Sequence, residues 1–242
     1  MKTALIFPAL LLSSATLCAQ ATNVAMGQEF ADLAAHQGYA SNGFSAYQNY
    51  SSGETKGSQF FLPNWSKGEI VTVHKEVYNA DLQFIYDKVR QEIFVRKNDS
   101  SLVLLANKDE ISSFSLKDDQ GKQYNFVNSK LFTEETPEVF YQVLVYDSTK
   151  LTLLKYIKTT YVKADYHDMM KVKEGEVNDA YVDKNIYYIV KADGNLQPLE
   201  LKNKSVKKVF NELNLPYQKY MSDHYQPVDE DYLIDMVTQL NK

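Results

Sequence analysis

Cysteine is almost absent from this chain, since Cys18 is the only one among 242 residues. It lies in an N-terminal segment that we expect to be cleaved off. The mature protein would then have no disulfide, no thiol nucleophile and no thiolate metal site. Stability must therefore come from packing, and a body of about 220 residues can bury roughly 70% of the surface that its unfolded chain exposes.

Long apolar runs are missing as well. Lys2 precedes an uncharged, mostly apolar stretch over residues 4–12, and small polar residues follow over 13–16. This order is typical of a secretory signal peptide, and the stretch is far shorter than the roughly 20 apolar residues that span a bilayer. We expect cleavage after Ala19, with cleavage after Ala21 as the alternative. The sequence thus predicts an exported protein without a transmembrane segment, in the periplasm or outside a Gram-negative cell.

Cys18 offers a second interpretation of the same segment, because a cysteine after an apolar leader can be the lipid-modified first residue of a bacterial lipoprotein. The residue before such a cysteine is normally small, whereas here it is the bulky Leu17. We therefore expect a cleaved protein that carries no lipid.

An excess of basic charge is also lacking. The chain has 26 Lys and Arg against 31 Asp and Glu, a formal net charge of −5, which disfavours a nucleic acid as partner. The stretch closest to a nucleophile elbow, residues 43–47, lacks the second glycine and follows no strand. The nine glycines do not cluster into a phosphate-binding loop. We expect no cofactor and no catalytic residue of these types.

One polar cluster resembles a set of metal ligands. Asp165, His167 and Asp168 lie together, and Glu174 and Glu176 follow. On a strand, Asp165 and His167 would point to the same side, a geometry that allows two ligands on one ion. The alternative is a solvated loop, which is the interpretation that we favour, so no metal site is predicted.

The composition divides the rest of the chain into three parts. Residues 20–56 are polar and hold at most one short helix, over 28–36. Residues 57–201 alternate between β-branched or aromatic runs and turn-forming clusters, which predicts an antiparallel β-meander that is curled or partly barrel-like. Nine strands are predicted, over 70–77, 82–86, 92–96, 102–105, 111–116, 123–127, 139–146, 151–161 and 186–190.

Residues 202–242 have the pattern of two to three short helices packed on the sheet. Val206, Val209, Phe210 and Leu213 follow the spacing of a buried helical stripe, with Ser205 as the predicted N-cap. Pro216 is expected to open a second helix, and Asp229 is expected to cap a third. The lysines at 202, 204, 207 and 208 are interpreted as a solvated face, with an anionic partner as the alternative. The overall prediction is a mainly β (α+β) fold.

Two stretches are similar to a known group. Residues 57–71, which contain Trp65 and Gly68, and the strands at 82–87 and 92–96 resemble uncharacterised secreted proteins of Bacteroidetes-type bacteria. These share a G-[ST]-x-[FY] start and a W-x-x-G-x-[VI] turn into a strand. The closing helices from Ser205 to Asn241 are similar too. The resemblance implies a β-meander with C-terminal helices and an envelope or secreted setting, but no catalytic residues.

Three functions are compatible with these features. The first is an exported, non-enzymatic structural or binding module of the envelope or exterior, whose partner the sequence does not specify. The second is a carrier of a small apolar ligand in a lipocalin-like barrel, although Pro63 stands where that signature has glycine two residues before Trp65. The third is a hydrolase that uses carboxylates on the sheet.

Overall fold

The computed structural model describes residues 55–79, 81–98, 103–133, 138–164 and 178–242. In these ranges the chain forms eleven strands, three α-helices and two short 3₁₀ turns at 108–110 and 129–131. The strands are β1 (Gly68–Thr72), β2 (Val77–Tyr78), β3 (Leu82–Asp87), β4 (Glu92–Lys97), β5 (Val103–Leu105), β6 (Ile111–Lys117), β7 (Gln123–Asn128), β8 (Phe140–Val145), β9 (Leu151–Val162), β10 (Ala180–Lys191) and β11 (Leu196–Leu199). The helices are α1 (Asn203–Glu212), α2 (Gln218–Asp223) and α3 (Glu230–Leu240).

The strands form two antiparallel sheets. The larger has eight strands in the order β11-β10-β9-β8-β7-β6-β1-β2, and the smaller has the order β3-β4-β5. From β6 to β11, strands that are consecutive in the chain are neighbours in the sheet. Short connections, such as residues 118–122 between β6 and β7, can join only antiparallel strands. The predicted meander with C-terminal helices is therefore confirmed. The larger sheet ends at β2 and β11 and is open rather than a closed barrel.

The strand boundaries differ from the prediction in three places. The predicted strand over 70–77 is two strands, because the chain turns at 73–76 with Lys75 at φ 67°. The predicted strand over 186–190 is the second half of the twelve-residue β10. Strand β11 was not predicted; it contains Pro198, which a strand tolerates at the edge of a sheet, where β11 lies.

Gly68 lies at a close approach of two strands. It pairs with Leu116 where β1 adjoins β6. A Cβ atom at Gly68 would lie 2.0 Å from the carbonyl oxygen of Ser115, whereas ordinary contacts begin at 3.4 Å. Only glycine allows the two strands to approach this closely.

The described residues fall into two compact units, residues 55–143 with 155–186 and residues 144–154 with 187–242. The core of the first contains a group of aromatic rings from strands of both sheets. Phe114 stacks on Phe126 at a centroid distance of 4.6 Å, and Tyr86 and Phe140 meet Phe114 edge to face at 5.1 and 5.0 Å. Such offset and T-shaped pairs are the favoured ring geometries.

In the second unit, the helices bury their apolar stripes against strand residues such as Leu153 and Ile189. The predicted stripe of α1 is confirmed, since all four of its residues are buried. Asp229 caps α3 as predicted, with its Oδ1 accepting the N–H of Tyr232 at 2.8 Å. No helix among the described residues is long and apolar enough to cross a bilayer.

Two details of the helical prediction were wrong. Helix α1 starts at Asn203, so Ser205 lies inside it and its hydroxyl instead accepts the N–H of Glu200 at 2.9 Å. Helix α2 starts at Gln218 with Tyr217 as its N-cap, two residues after Pro216. The predicted solvent exposure of the four lysines is confirmed.

Candidate functional site

The metal ligands considered from the sequence, Asp165, His167 and Asp168, lie outside the described residues, as do Glu174 and Glu176. Within the ranges that the structure describes, no group of three or more His, Cys, Asp or Glu side chains is arranged to hold a metal ion. One group of side chains with a perturbed carboxyl lies at the turn between β3 and β4.

Asp87 ends β3 and organises this turn. Its Oδ1 accepts the N–H groups of Val89 at 2.8 Å and Arg90 at 3.1 Å, a common role for aspartate in a turn. Its Oδ2 is buried and has no hydrogen-bond partner among the described residues, and only 1% of the residue is exposed. Burial raises the pKa of Asp87, because it outweighs the two backbone hydrogen bonds that favour the carboxylate.

Gln91 closes the same turn at φ 58° and is itself buried. Its Oε1 accepts the hydroxyl of Tyr86 at 2.8 Å and the N–H of Phe140 at 2.9 Å. Its Nε2 donates to the carbonyl of Lys88 at 2.7 Å. Burial also raises the pKa of the Tyr86 hydroxyl. Gln91 thus holds the turn against β8 and satisfies polar groups that would be costly to bury alone.

Lys88 links the turn to β10. Its Nζ lies 2.6 Å from Oδ2 of Asp183, and only 8% of the lysine side chain is exposed against 41% of the aspartate. The Thr159 hydroxyl donates to the other oxygen of Asp183 at 2.6 Å. We call Asp87, Lys88, Gln91, Thr159 and Asp183 the turn cluster. It attaches the outer halves of β9 and β10 to the β3–β4 turn.

The chemistry open to the turn cluster is limited by these bonds. Perturbed ionisable groups in a cluster are candidates for a functional site, and a carboxyl with a raised pKa is one that can carry a proton. However, both oxygens of Asp183, one oxygen of Asp87 and the Lys88 ammonium are bound to internal partners. Only Oδ2 of Asp87 lacks a partner, and it is shielded from solvent. These bonds join the β3–β4 turn to β10, and β10 to β9.

What the turn cluster positions is a two-stranded arm, residues 158–162 of β9 and 180–186 of β10. Side chains alternate between the two faces of a strand. The odd-numbered residues of the arm lie on one face. Two contacts across the strands show this: the Thr159–Asp183 hydrogen bond and the Tyr161–Tyr181 ring contact at 5.1 Å. The opposite face, which we call the arm face, is exposed and consists of Lys158, Thr160, Val162, Val182 and Lys184.

A second group of interacting ionisable side chains lies on the helices of the other unit. Tyr220 donates to Oδ2 of Asp235 at 2.6 Å, and the His224 ring stacks on the Tyr220 ring at 4.2 Å. Burial and then the bond to Asp235 raise the pKa of Tyr220. The hydrogen bond from Tyr220 holds the pKa of Asp235 below its usual value. A tyrosine with a raised pKa is a poor acid. The Tyr220–Asp235 hydrogen bond joins α2 to α3.

The turn cluster could not be recognised as a cluster from the sequence. Asp87 through Gln91 had the pattern of a turn, and Asp183 lies before the strand that was predicted at 186–190. The only available signal was the polar residues Asp87 and Lys88 directly after an apolar run. No protein-family model, curated protein or solved structure matches the chain.

Proposed function

We propose that this protein is an exported, non-enzymatic binding module of the cell envelope or exterior, and that it contacts its partner through the arm face. One observation carries the proposal. Val162 and Val182 are 48% and 51% exposed, and they lie on the same face as Lys158 and Lys184, neither of which forms an ion pair with a described residue. Exposed apolar side chains grouped in this way are typical of an interaction surface.

The turn cluster supports this function because it fixes the arm in place. Lys88 and Thr159 both donate to Asp183, on the face opposite to the arm face. A binding surface that is held rigid before contact loses less conformational entropy on association. The perturbed groups of the turn cluster thus have a role in binding that requires no reaction.

Native mass spectrometry of the protein from the envelope fraction of its own bacterium tests the proposal. We expect a protein partner to accompany the wild type and to be lost from a Val162→Lys/Val182→Lys variant. The matched control is Val73→Lys/Val77→Lys, because those valines are equally exposed, at 49% and 53%, on the β1–β2 hairpin. The control should retain the partner. Retention by all three proteins, or a bare monomer from each, would contradict the proposal.

The alternative function is a carrier of a small apolar ligand, and the same measurement distinguishes it from the binding module. A carrier predicts a small molecule of constant mass bound to every variant. The packing of the first unit supports the binding module instead. The rings of Tyr86, Phe114, Phe126 and Phe140 contact one another at centroid distances of 4.6 to 6.0 Å. These rings come from strands of both sheets and pack against one another, which supports a filled core.

A further inference from the structure

Among the described residues, the outer edge of β10 has a stretch without a neighbouring strand. Pairing with β11 starts at Tyr187, opposite Leu199, and continues to Val190. At the other end, the N–H of Tyr181 donates to the carbonyl of Lys56 at 2.9 Å, and the N–H of Lys56 donates to Asp179 at 2.8 Å. Residues 182–186 lie between these two sets of bonds.

The direction of the backbone groups in this stretch follows from its ends. Since Tyr181 and Tyr187 both bond away from β9, the odd-numbered residues of β10 direct their N–H and C=O groups to the outer edge. These are Asp183 and Asn185, and none of their backbone groups is bonded at this edge by a residue that the structure describes. Residues 182–185 are exposed. An open edge of this kind is a template for another strand.

A second copy of the chain fits this edge poorly. In a two-fold antiparallel pair, edge-directed residues must face edge-directed residues. An axis at Lys184 would place the two Lys184 side chains opposite each other, and an axis at Asp183 would do the same for two carboxylates. An axis at Asn185 would pair Asp183 with Tyr187, whose edge is already taken by Leu199. Like charges directly opposite each other destabilise a strand pair.

We propose that an extended segment of a partner protein adds to residues 182–186 as an antiparallel strand, with an acidic residue opposite Lys184 and apolar residues opposite Val182 and Ile186. The inference rests on the proposed function and specifies its partner. Five residues of strand extend about 17 Å, which is enough for four backbone hydrogen bonds with Asp183 and Asn185. The main chain would provide the attachment and the alternating side chains the specificity.

The charges of the arm face favour the acidic residue. Lys184 and Lys158 share this face and have no described acidic partner, so a carboxylate opposite Lys184 would be attracted by both. Val182, 51% exposed, would pack beside an apolar side chain two positions along the partner strand. The partner segment should therefore alternate in the pattern apolar, any, acidic, any, apolar.

Nuclear magnetic resonance titration of the mature chain tests this. The probes are two blocked seven-residue peptides of alternating Thr and Val, one with Glu and one with Lys at the central position. We expect the Glu peptide to shift and protect the amides of Asp183 and Asn185, and to bind about two- to fivefold more tightly than the Lys peptide at low salt. Lys184→Glu should reverse this preference.

Asn185→Pro provides the structural control. It removes an N–H that points to the outer edge, where proline is tolerated, so the protein should fold normally and lose the peptide response. Lys184→Pro removes an N–H on the β9 side and should destabilise the fold. Slow amide exchange at Asp183 and Asn185 in the free protein would show the edge to be covered already, which overturns the inference. So would equal binding of both peptides, or peptide shifts confined to other residues.

The outcomes separate this inference from the proposed function. Loss of the native partner in the Val162→Lys/Val182→Lys variant, combined with unchanged capture by Asn185→Pro, would leave the binding module standing and reject strand addition. A peptide that binds at the edge of a protein that captures no native partner would reject the envelope-binding role instead.

Discussion

The Lys88–Asp183 pair allows the role of the turn cluster to be tested quantitatively. Asp183→Asn keeps the shape of the side chain and an oxygen for the Thr159 hydroxyl. It removes the negative charge beside Lys88, whose side chain is only 8% exposed. The lysine would then be buried without its anion. The attachment of Lys88 to β10 should weaken, and the arm should separate from the β3–β4 turn more often.

The size of the effect follows from the burial of the two partners. Removing one member of a fully buried ion pair costs about 3–5 kcal/mol. Asp183 is 41% exposed, so water can partly replace it, and we expect a loss of about 1–3 kcal/mol. For a chain of this size, 2 kcal/mol corresponds to a melting temperature lower by roughly 4–8 °C.

Chemical denaturation of the wild type and the Asp183→Asn variant gives the required free energies of unfolding. The matched control is Asp193→Asn, because Asp193 pairs with Lys191 at 3.9 Å and is 61% exposed, so its loss should stay below about 1 kcal/mol. Adding Lys88→Met to the Asp183→Asn variant should recover part of the lost free energy of unfolding. We expect a coupling energy between the two substitutions of about 1–2 kcal/mol. If Asp183→Asn lowers the free energy of unfolding by no more than Asp193→Asn does, the turn cluster does not hold the arm.

Two further predictions concern other parts of the first unit. Gly68→Ala should lower the free energy of unfolding by about 2–5 kcal/mol, because β1 and β6 must separate by more than 1 Å to admit the methyl group. Gly121→Ala, which has φ 82° but open space around it, should cost only about 1–2 kcal/mol, and a larger loss there than at Gly68 would contradict the steric argument. The folded-state pKa of Asp87 is raised. Its carboxyl therefore contributes stability that is fully present below the unfolded-state pKa. This contribution is lost as the pH rises through the folded-state pKa. Denaturation between pH 3.5 and 7.5 should therefore show the wild type losing stability relative to Asp87→Asn as the pH rises from about 4, and parallel curves would refute this.

The elements with a strong local pattern could be predicted from the sequence. The stripe of α1 and the Asp229 cap are both present, because helical spacing and capping depend on residues within a few positions of each other. The turn between the strands predicted at 111–116 and 123–127 is also local, since Asp118 accepts the N–H groups of Gln120 and Lys122.

The predictions that failed depended on more distant residues. The polar outer half of β10 lacks the apolar alternation of a half-buried strand, and it forms a strand because β9 lies beside it. Ser205 has the right chemistry for an N-cap, but α1 begins two residues earlier and Ser205 instead binds Glu200. In the first case a neighbouring strand outweighed the local preference, whereas in the second the Ser205 hydroxyl binds a residue only five positions before it.

The sequence by itself determined the antiparallel meander, the C-terminal helices and the buried stripe of α1, because each is set by the spacing of apolar and turn-forming residues along a short stretch of chain. It also provides the argument for export. Only the tertiary structure decided that Lys88 meets Asp183, 95 residues away, and that Asp87 keeps a buried oxygen without a partner. The open edge of β10 is likewise a tertiary property, since an edge exists only where the neighbouring strand ends. The candidate site consists of such long-range contacts, and the spacing of residues along the chain does not encode them.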